Sequence, residues 1–384
     1  MIYFDNNATT SIDPAVLEVM LPFLKEQYGN PSSAYSFGKR VARAVEHARE
    51  QVATLLGCEP SEILFTSCGT ESDNTALQSA LSIDQDRKHI ITSKVEHSAI
   101  VKHAEALARR GYEVTWLDVD AKGMIDLSQL EAAIRPDTAI VSLMWANNET
   151  GVLFPIEQAA EICRKQQTIF HTDAVQAVGK IPINLSTTSI QFLSLSGHKL
   201  HAPKGVGALY VQRRARFFPF LIGGGQEEKR RGGTENTASI VALGKAAELA
   251  GAYIQEEDRF VRELRDTFEQ QALERIPGVT VNGDRGRRIP NTTNLSIEGI
   301  DSEAILMILD QQGVCCSAGS ACTTGSLEPS HVLRAMGLSN EQARASLRFS
   351  FGRTNTMEEV NRALQILTRA VKKLREMTPG VLAA

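Results

Sequence analysis

The chain lacks any apolar run approaching the roughly 20 residues that span a bilayer, so no membrane segment is expected. Its start, Met1-Ile2-Tyr3-Phe4-Asp5-Asn6-Asn7, has neither a basic region nor a long hydrophobic stretch, which speaks against a secretory signal and for a cytoplasmic protein. A surplus of positive charge is also missing. The formal charge is −4, and the Lys/Arg block that stands out, Lys229-Arg230-Arg231, is short enough to read as a solvated loop, so no nucleic-acid partner is expected. No internal repeat is visible. Six cysteines, at 58, 68, 163, 315, 316 and 322, do not make a disulfide framework in a cytosolic chain of 384 residues. The spacing Cys315-Cys316-x5-Cys322 fits the Cys-x2-4-Cys pairs of zinc sites poorly, so no metal ligand is assigned.

What is present is an ordinary globular composition, 42% hydrophobic and 22% charged, long enough for two domains. From about residue 50 to 212 short apolar runs alternate with amphipathic segments. The strand-like runs are 63–66, 89–92, 114–117, 139–144, 169–171, 192–195 and 206–211, and helical patterns cover 75–81, 100–109 and 156–165. Strands separated by such helices predict an α/β fold with a mostly parallel sheet. Near residue 235 the texture changes. A long helix over about 239–274 bridges to strands at 279–281, 294–297 and 346–350 and helices at 302–310 and 357–375, a smaller α+β domain.

Several strand ends carry chemistry. Lys199 follows Leu195-Ser196-Gly197-His198, and Asp173 ends Phe170-His171-Thr172, so an amine and an acid sit where ligands of α/β proteins collect. That pairing suggests pyridoxal phosphate, with the lysine attaching its aldehyde and the acid keeping the ring nitrogen protonated. Gly69-Thr70, after strand 63–66, offers unpaired N–H groups and a hydroxyl to a phosphate, or is a plain helix start. His97 is a candidate to stack on the ring and help move protons, or a surface residue. Asn148 and Gln176 are candidates for the cofactor's phenolic oxygen, or turn residues. Thr234, in a glycine-rich loop, connects elements or reaches a phosphate from a neighbouring subunit. Arg348 alternates with apolar residues, which requires an anion, a substrate carboxylate or a structural salt bridge. Cys322 lies in the Ser/Ala/Gly/Thr stretch 317–326, where mobility would leave a thiol accessible, whereas Cys163 sits among apolar neighbours.

Taken together, these stretches resemble the NifS/IscS-type cysteine desulfurases of the class V aminotransferases. They include Tyr3-Phe4-Asp5-Asn6-Asn7-Ala8-Thr9-Thr10, Gly29-Asn30-Pro31-Ser32-Ser33 and Gly69-Thr70-Glu71-Ser72-Asp73-Asn74. Asn147-Asn148-Glu149, Asp173-Ala174-Val175-Gln176, Ser196-Gly197-His198-Lys199, Gly319-Ser320-Ala321-Cys322-Thr323 and Leu327-Glu328-Pro329-Ser330 complete the match, which covers nearly the whole chain. The resemblance implies a fold type I pyridoxal-phosphate enzyme, a homodimer with its site at the subunit interface. Its large domain would be 15–255 and its small domain 256–384, with residues 1–14 packing on the small domain and Cys322 on a mobile segment. It implies conversion of L-cysteine to L-alanine, with the sulfur kept as a persulfide for an iron–sulfur scaffold or another acceptor protein. By resemblance, Lys199 binds the cofactor aldehyde, Asp173 partners the ring nitrogen, and His97 stacks on the ring. Gly69, Thr70, Ser196, His198 and a cross-dimer Thr234 hold the phosphate. Asn148 and Gln176 meet the ring oxygen, Arg348 the substrate carboxylate, and Cys322 accepts sulfur.

Three features depart from the family pattern. Cys315-Cys316 stands where small or apolar residues are usual, and Cys68 adjoins the phosphate loop. The chain closes at Ala384 without the longer tail of housekeeping members, which leans toward the nitrogen-fixation branch. The alternatives are a selenocysteine lyase or transaminase on the same scaffold, and a sulfur-relay scaffold protein without catalysis.

Overall fold

The computed structural model describes residues 1–318 and 329–377. A short β1 (Ile2–Tyr3) precedes β2 (Ile63–Thr66), β3 (His89–Ser93), β4 (Glu113–Leu117), β5 (Thr138–Met144), β6 (Ile169–Asp173), β7 (Phe192–Ser196) and β8 (Gly207–Val211). The last seven form one sheet in the order β2-β8-β7-β6-β5-β3-β4. β8 runs antiparallel to both of its neighbours, and every other pair is parallel. Every residue of β5 and β7 is buried, which is why they read as near-continuous apolar runs rather than alternating ones.

The helices follow from local signals. Ile156–Lys165 buries Ile156, Ala159, Ala160 and Cys163 on one face, the spacing expected of an amphipathic helix, and burial pushes the Cys163 thiol up to about 12. Ser36–Leu56 stops at Gly57, whose φ of +62° is left-handed and where a Cβ would come within 2.6 Å of Asn184 Oδ1. The helix that periodicity places at 75–81 begins earlier, at Gly69. Its first turns, Gly69-Thr70-Glu71-Ser72-Asp73-Asn74, are polar and give hydrophobic periodicity nothing to register. The basic cluster expected to be a solvated loop is tied down instead. Arg230 donates to the Ser61 carbonyl at 3.0 Å, and Arg231 pairs with Glu71 at 2.9 Å.

Beyond the main sheet lie β9 (Val279–Val281), β10 (Thr292–Ile297), β11 (Val314–Cys315) and β12 (Ser346–Ser350). β12-β10-β9 is antiparallel, and β1 pairs in parallel with β11. Two apolar cores result. The long helix Thr237–Arg275 contributes Ile240, Leu243 and Ala250 to the core under the main sheet, and Val261, Leu264 and Phe268 to the second. In the second, Phe4, Phe268, Phe349 and Phe351 pack with ring centroids 4.5 to 6.0 Å apart.

Candidate active site

Connections leave β3 toward β4 on one side of the sheet and β5 toward β6, β7 and β8 on the other. Loops diverge at such a reversal and open a crevice at the carboxyl ends of the strands. β2 points the same way as β7, because both are antiparallel to β8, so its following loop reaches the same edge. There a cavity of about 260 Å³ is lined by Gly69 and Thr70 after β2, His97 after β3, and Asn148 after β5. Asp173 at the end of β6 and Gln176 after it, Ser196 at the end of β7 and His198 and Lys199 after it, and Arg348 from β12 also line it. Thr234 is exposed and is not among the lining residues. Cys322 lies outside the described residues.

Lys199 ends a one-turn 3-10 helix, Gly197–Lys199, and its Nζ donates to the carbonyls of Asn7 at 2.5 Å and Ala8 at 2.7 Å. Asp173 Oδ1 accepts from the Val175 N–H at 2.9 Å. Burial raises the Asp173 carboxyl, while the positive sides of His97 and Lys199 pull it back. Asp73 lies buried on the same wall, and burial, reinforced by the Asp173 charge, pushes its carboxyl well above the ordinary range. Two neighbouring buried carboxylates repel, which disfavours ionising both at once. His97 caps the helix Ser98–Ala108, its Nδ1 accepting from the Ala99 N–H at 3.2 Å, which puts the proton of the neutral ring on Nε2. His198 meets Thr9 Oγ1 at 3.1 Å, and burial with the nearby Lys199 and Lys204 charges holds it down to about 4.

Arg348 combines both readings of its strand. It forms a salt bridge, donating to Asp5 Oδ1 at 2.7 Å and to the Asn148 carbonyl at 2.9 Å, and it is also a wall of the cavity. Ser317 Oγ donates to the other Asp5 oxygen at 2.9 Å.

The cavity fits a phosphorylated aldehyde cofactor. The helix Gly69–Ile83 starts on Cys68 with no side-chain cap, so its first N–H groups, at the positive end of the helix, have no partner within the helix. A Cβ at Gly69 would come within 2.8 Å of Val175 Cγ2, so only glycine suits this approach. Asn148 Oδ1 is buried and has no hydrogen-bond partner among the described residues. A phosphate cradle, an amine and a carboxylate around one space match the phosphate, aldehyde and ring nitrogen of pyridoxal phosphate.

Sequence reasoning assigned no role to Asn7, Asp73, Glu96, Glu149 or Lys180. Asn7 joins both halves of the molecule, donating from Nδ2 to Thr292 Oγ1 at 2.8 Å and to the Asn148 carbonyl at 3.2 Å. Glu96 lies behind His97, its Oε1 accepting from Ser93 Oγ at 2.6 Å and from the Met144 N–H at 3.1 Å, and burial pushes its carboxyl up to about 8. Glu149 accepts from Ser330 Oγ at 2.5 Å and is likewise raised by burial. The signal available for Asn7, Asp73 and Glu149 was their place inside the quoted motifs, and for Glu96 its place next to His97, beside the residues that were chosen. Lys180 carried none.

The family model described as aminotransferase class-V matches residues 2–363. The chain is 55% identical to cysteine desulfurase 2 of Trichormus variabilis over 379 residues, covering 99% of this chain and 95% of that protein. It is 52% identical to the cysteine desulfurase NifS of Azotobacter vinelandii, over 98% of this chain and 94% of the relative. A solved NifS-like protein superposes with a TM-score of 0.91 at 36% identity, covering 97% of this chain and 99% of that one.

Proposed function

The chain belongs to the class-V aminotransferase family, among its cysteine desulfurases, and on that premise we propose that it converts L-cysteine to L-alanine and passes the sulfur on for iron–sulfur cluster assembly. The observation that carries this reading is the convergence of Lys199, Asp173, the uncapped helix start at Gly69–Thr70, and Arg348 on one cavity. The family depends on pyridoxal phosphate, whose ring when bound accepts electrons and so weakens bonds at the substrate's carbons. Gly69, Thr70, Ser196 and His198 would hold its phosphate, Lys199 its aldehyde carbon, Asp173 its ring nitrogen, and Asn148 and Gln176 its ring oxygen, with His97 over its face.

The protein's own groups then divide the work. Arg348 receives the carboxylate of L-cysteine, where a planar guanidinium suits bidentate contact. Lys199 Nζ takes the proton from the substrate Cα and can return one as alanine forms. The Cys322 thiolate attacks the substrate sulfur. A new S–S bond forms on Cys322, the C–S bond breaks, its electron pair stays with carbon, and a proton completes alanine. The persulfide is handed to an acceptor protein, with a leaning to the nitrogen-fixation branch.

The protein is proposed to work as a cytoplasmic homodimer in which Thr234 serves the phosphate of the other copy. The exposure of Thr234 and of nearby Phe218, Phe220 and Ile222 supports this. Residues 15–255 would form the large domain and 256–384 the small one, with residues 1–14 on the small domain. The two cores sharing one long helix support that division. Mass spectrometry after incubation with L-cysteine tests the chemistry: one added sulfur atom should map to Cys322. Sustained turnover by Cys322→Ala would refute the persulfide route and favour a transaminase. Dimeric mass in solution, and activity regained on mixing Thr234→Ala with Lys199→Ala subunits, test the shared site.

A further inference from the structure

We propose that Lys180 is a positioning residue of the cofactor site, whose ammonium orients the Gln176 carboxamide and sets the proton affinity of Lys199. The inference rests on the cofactor reading above and extends it to a residue that the reading does not use.

Lys180 follows Gln176 by four residues in the turn after β6. Its Nζ donates to Gln176 Oε1 at 2.7 Å and to Asn7 Oδ1 at 3.3 Å. An ammonium can only donate, so the end of the amide that faces it is the oxygen. Gln176 Nε2 is therefore turned away, and it donates to the Asn7 carbonyl at 3.0 Å. Its second N–H is then available to a ligand in the 260 Å³ cavity that Gln176 lines. Without a donor at Lys180, the amide could turn over and present oxygen where nitrogen is needed.

The same lysine stands close to the reactive amine. Lys199 donates to the Asn7 backbone carbonyl and Lys180 to the Asn7 side chain, so one residue bridges the two ammonium groups. Both also line a second cavity, of about 40 Å³, between the main sheet, the long helix and the small sheet. Around it His201 follows Lys199 in the chain, Glu257 and Asp258 come from the long helix, and Arg353 follows β12. Most of these charges are answered locally. Arg353 pairs with Asp13 and Glu257, both at 3.3 Å, and Asp258 pairs with Arg262 at 2.7 Å. His201 is held down to about 4 by burial first and is neutral. Burial, then Lys199 and Arg348, bring Lys180 down to about 7, against the opposing pull of Glu257. Two amines so placed resist double protonation, so the charge on one lowers the proton affinity of the other.

The test titrates the visible band of the pyridoxal-phosphate-loaded protein across pH in wild type, Lys180→Met and Lys180→Arg. Lys180→Met should raise the midpoint by about one pH unit, the sign expected when a like charge is removed. Lys180→Arg should hold it near the wild-type value. The affinity of the apoprotein for pyridoxamine phosphate, which has no aldehyde for Lys199, should fall about tenfold in Lys180→Met, the worth of one hydrogen bond. A folded Lys180→Met with unchanged midpoint and affinity overturns the proposal, as do equal shifts in the Met and Arg variants. If Lys180→Met does not fold, Lys180→Gln, uncharged but still a donor, carries the same expectation for the midpoint. A wild-type protein with no visible band would instead refute the cofactor reading, and this inference with it.

Discussion

Glu269 and the cavity acids are both buried carboxyl groups, yet they are treated in opposite ways. Glu269 accepts two bonds from Arg288, at 2.6 and 3.0 Å, one from Arg285 at 2.8 Å and one from Thr293 at 2.7 Å. These donors outweigh its burial and hold it below the usual carboxylate range. Glu227 is also surrounded by donors, the bidentate Arg49 at 2.8 and 2.9 Å and the Phe65 N–H at 3.0 Å. Asp73 and Asp173 in the cavity wall, and Glu96 and Glu149 next in sequence to the wall residues His97 and Asn148, are all raised, and among the described residues Asp73, Glu96 and Glu149 each keep a buried oxygen without a hydrogen-bond partner. Carboxylates that hold the fold together are saturated with donors. Those around the cavity are left short, which raises their proton affinity and makes them responsive to a ligand.

The sharpest break between the two regions comes from Lys199→Ala. Turnover should fall by about 10²–10⁴-fold, the range for losing a positioned proton carrier, and the visible absorbance should vanish, while the melting temperature stays near wild type. Absorbance that persists would show that another amine attaches the cofactor. Glu269→Ala should do the reverse. It leaves Arg288 buried without its partner and should cost about 3–5 kcal/mol in denaturant unfolding, with the visible band intact. Arg348→Lys belongs to both regions. It keeps the charge but loses the fork, so KM for L-cysteine should rise about tenfold, near 1.5 kcal/mol for one charge-assisted bond. An unchanged KM would leave Arg348 as a salt bridge to Asp5 alone.

The smallest effect is on pH dependence. Glu96 is pushed from 4.5 up to about 8 in the folded protein, so the native state binds the extra proton. Stability should therefore decline as pH rises from about 4.5 to about 8 and level off above, the opposite of the acid sensitivity that Glu269 confers. Glu96→Gln, which mimics the neutral acid, should flatten that slope in thermal melts taken across the range.

Much of the site was legible because strand ends are local events. A buried run that stops on a polar turn, as at Asp173, Lys199 and Thr66-Ser67, announces the sheet edge in a few consecutive residues. The small sheet was legible for the same reason, and so was the long helix, expected at about 239–274 and found as Thr237–Arg275. The start of the helix at Gly69 was not, since its first turns are polar. Nor was the anchoring of Arg231, whose partner Glu71 is remote in sequence.

By itself, then, the sequence determined the alternation of strands and helices, the family, and which side chains stand at the strand ends, because each depends on neighbours along the chain. Which acids stay protonated, how Asn7 joins the two halves of the molecule, and why Lys180 stands against Lys199 were decided only by the tertiary structure. Proton affinity depends on burial and on charges brought together through space, and a linear pattern of residue types carries neither.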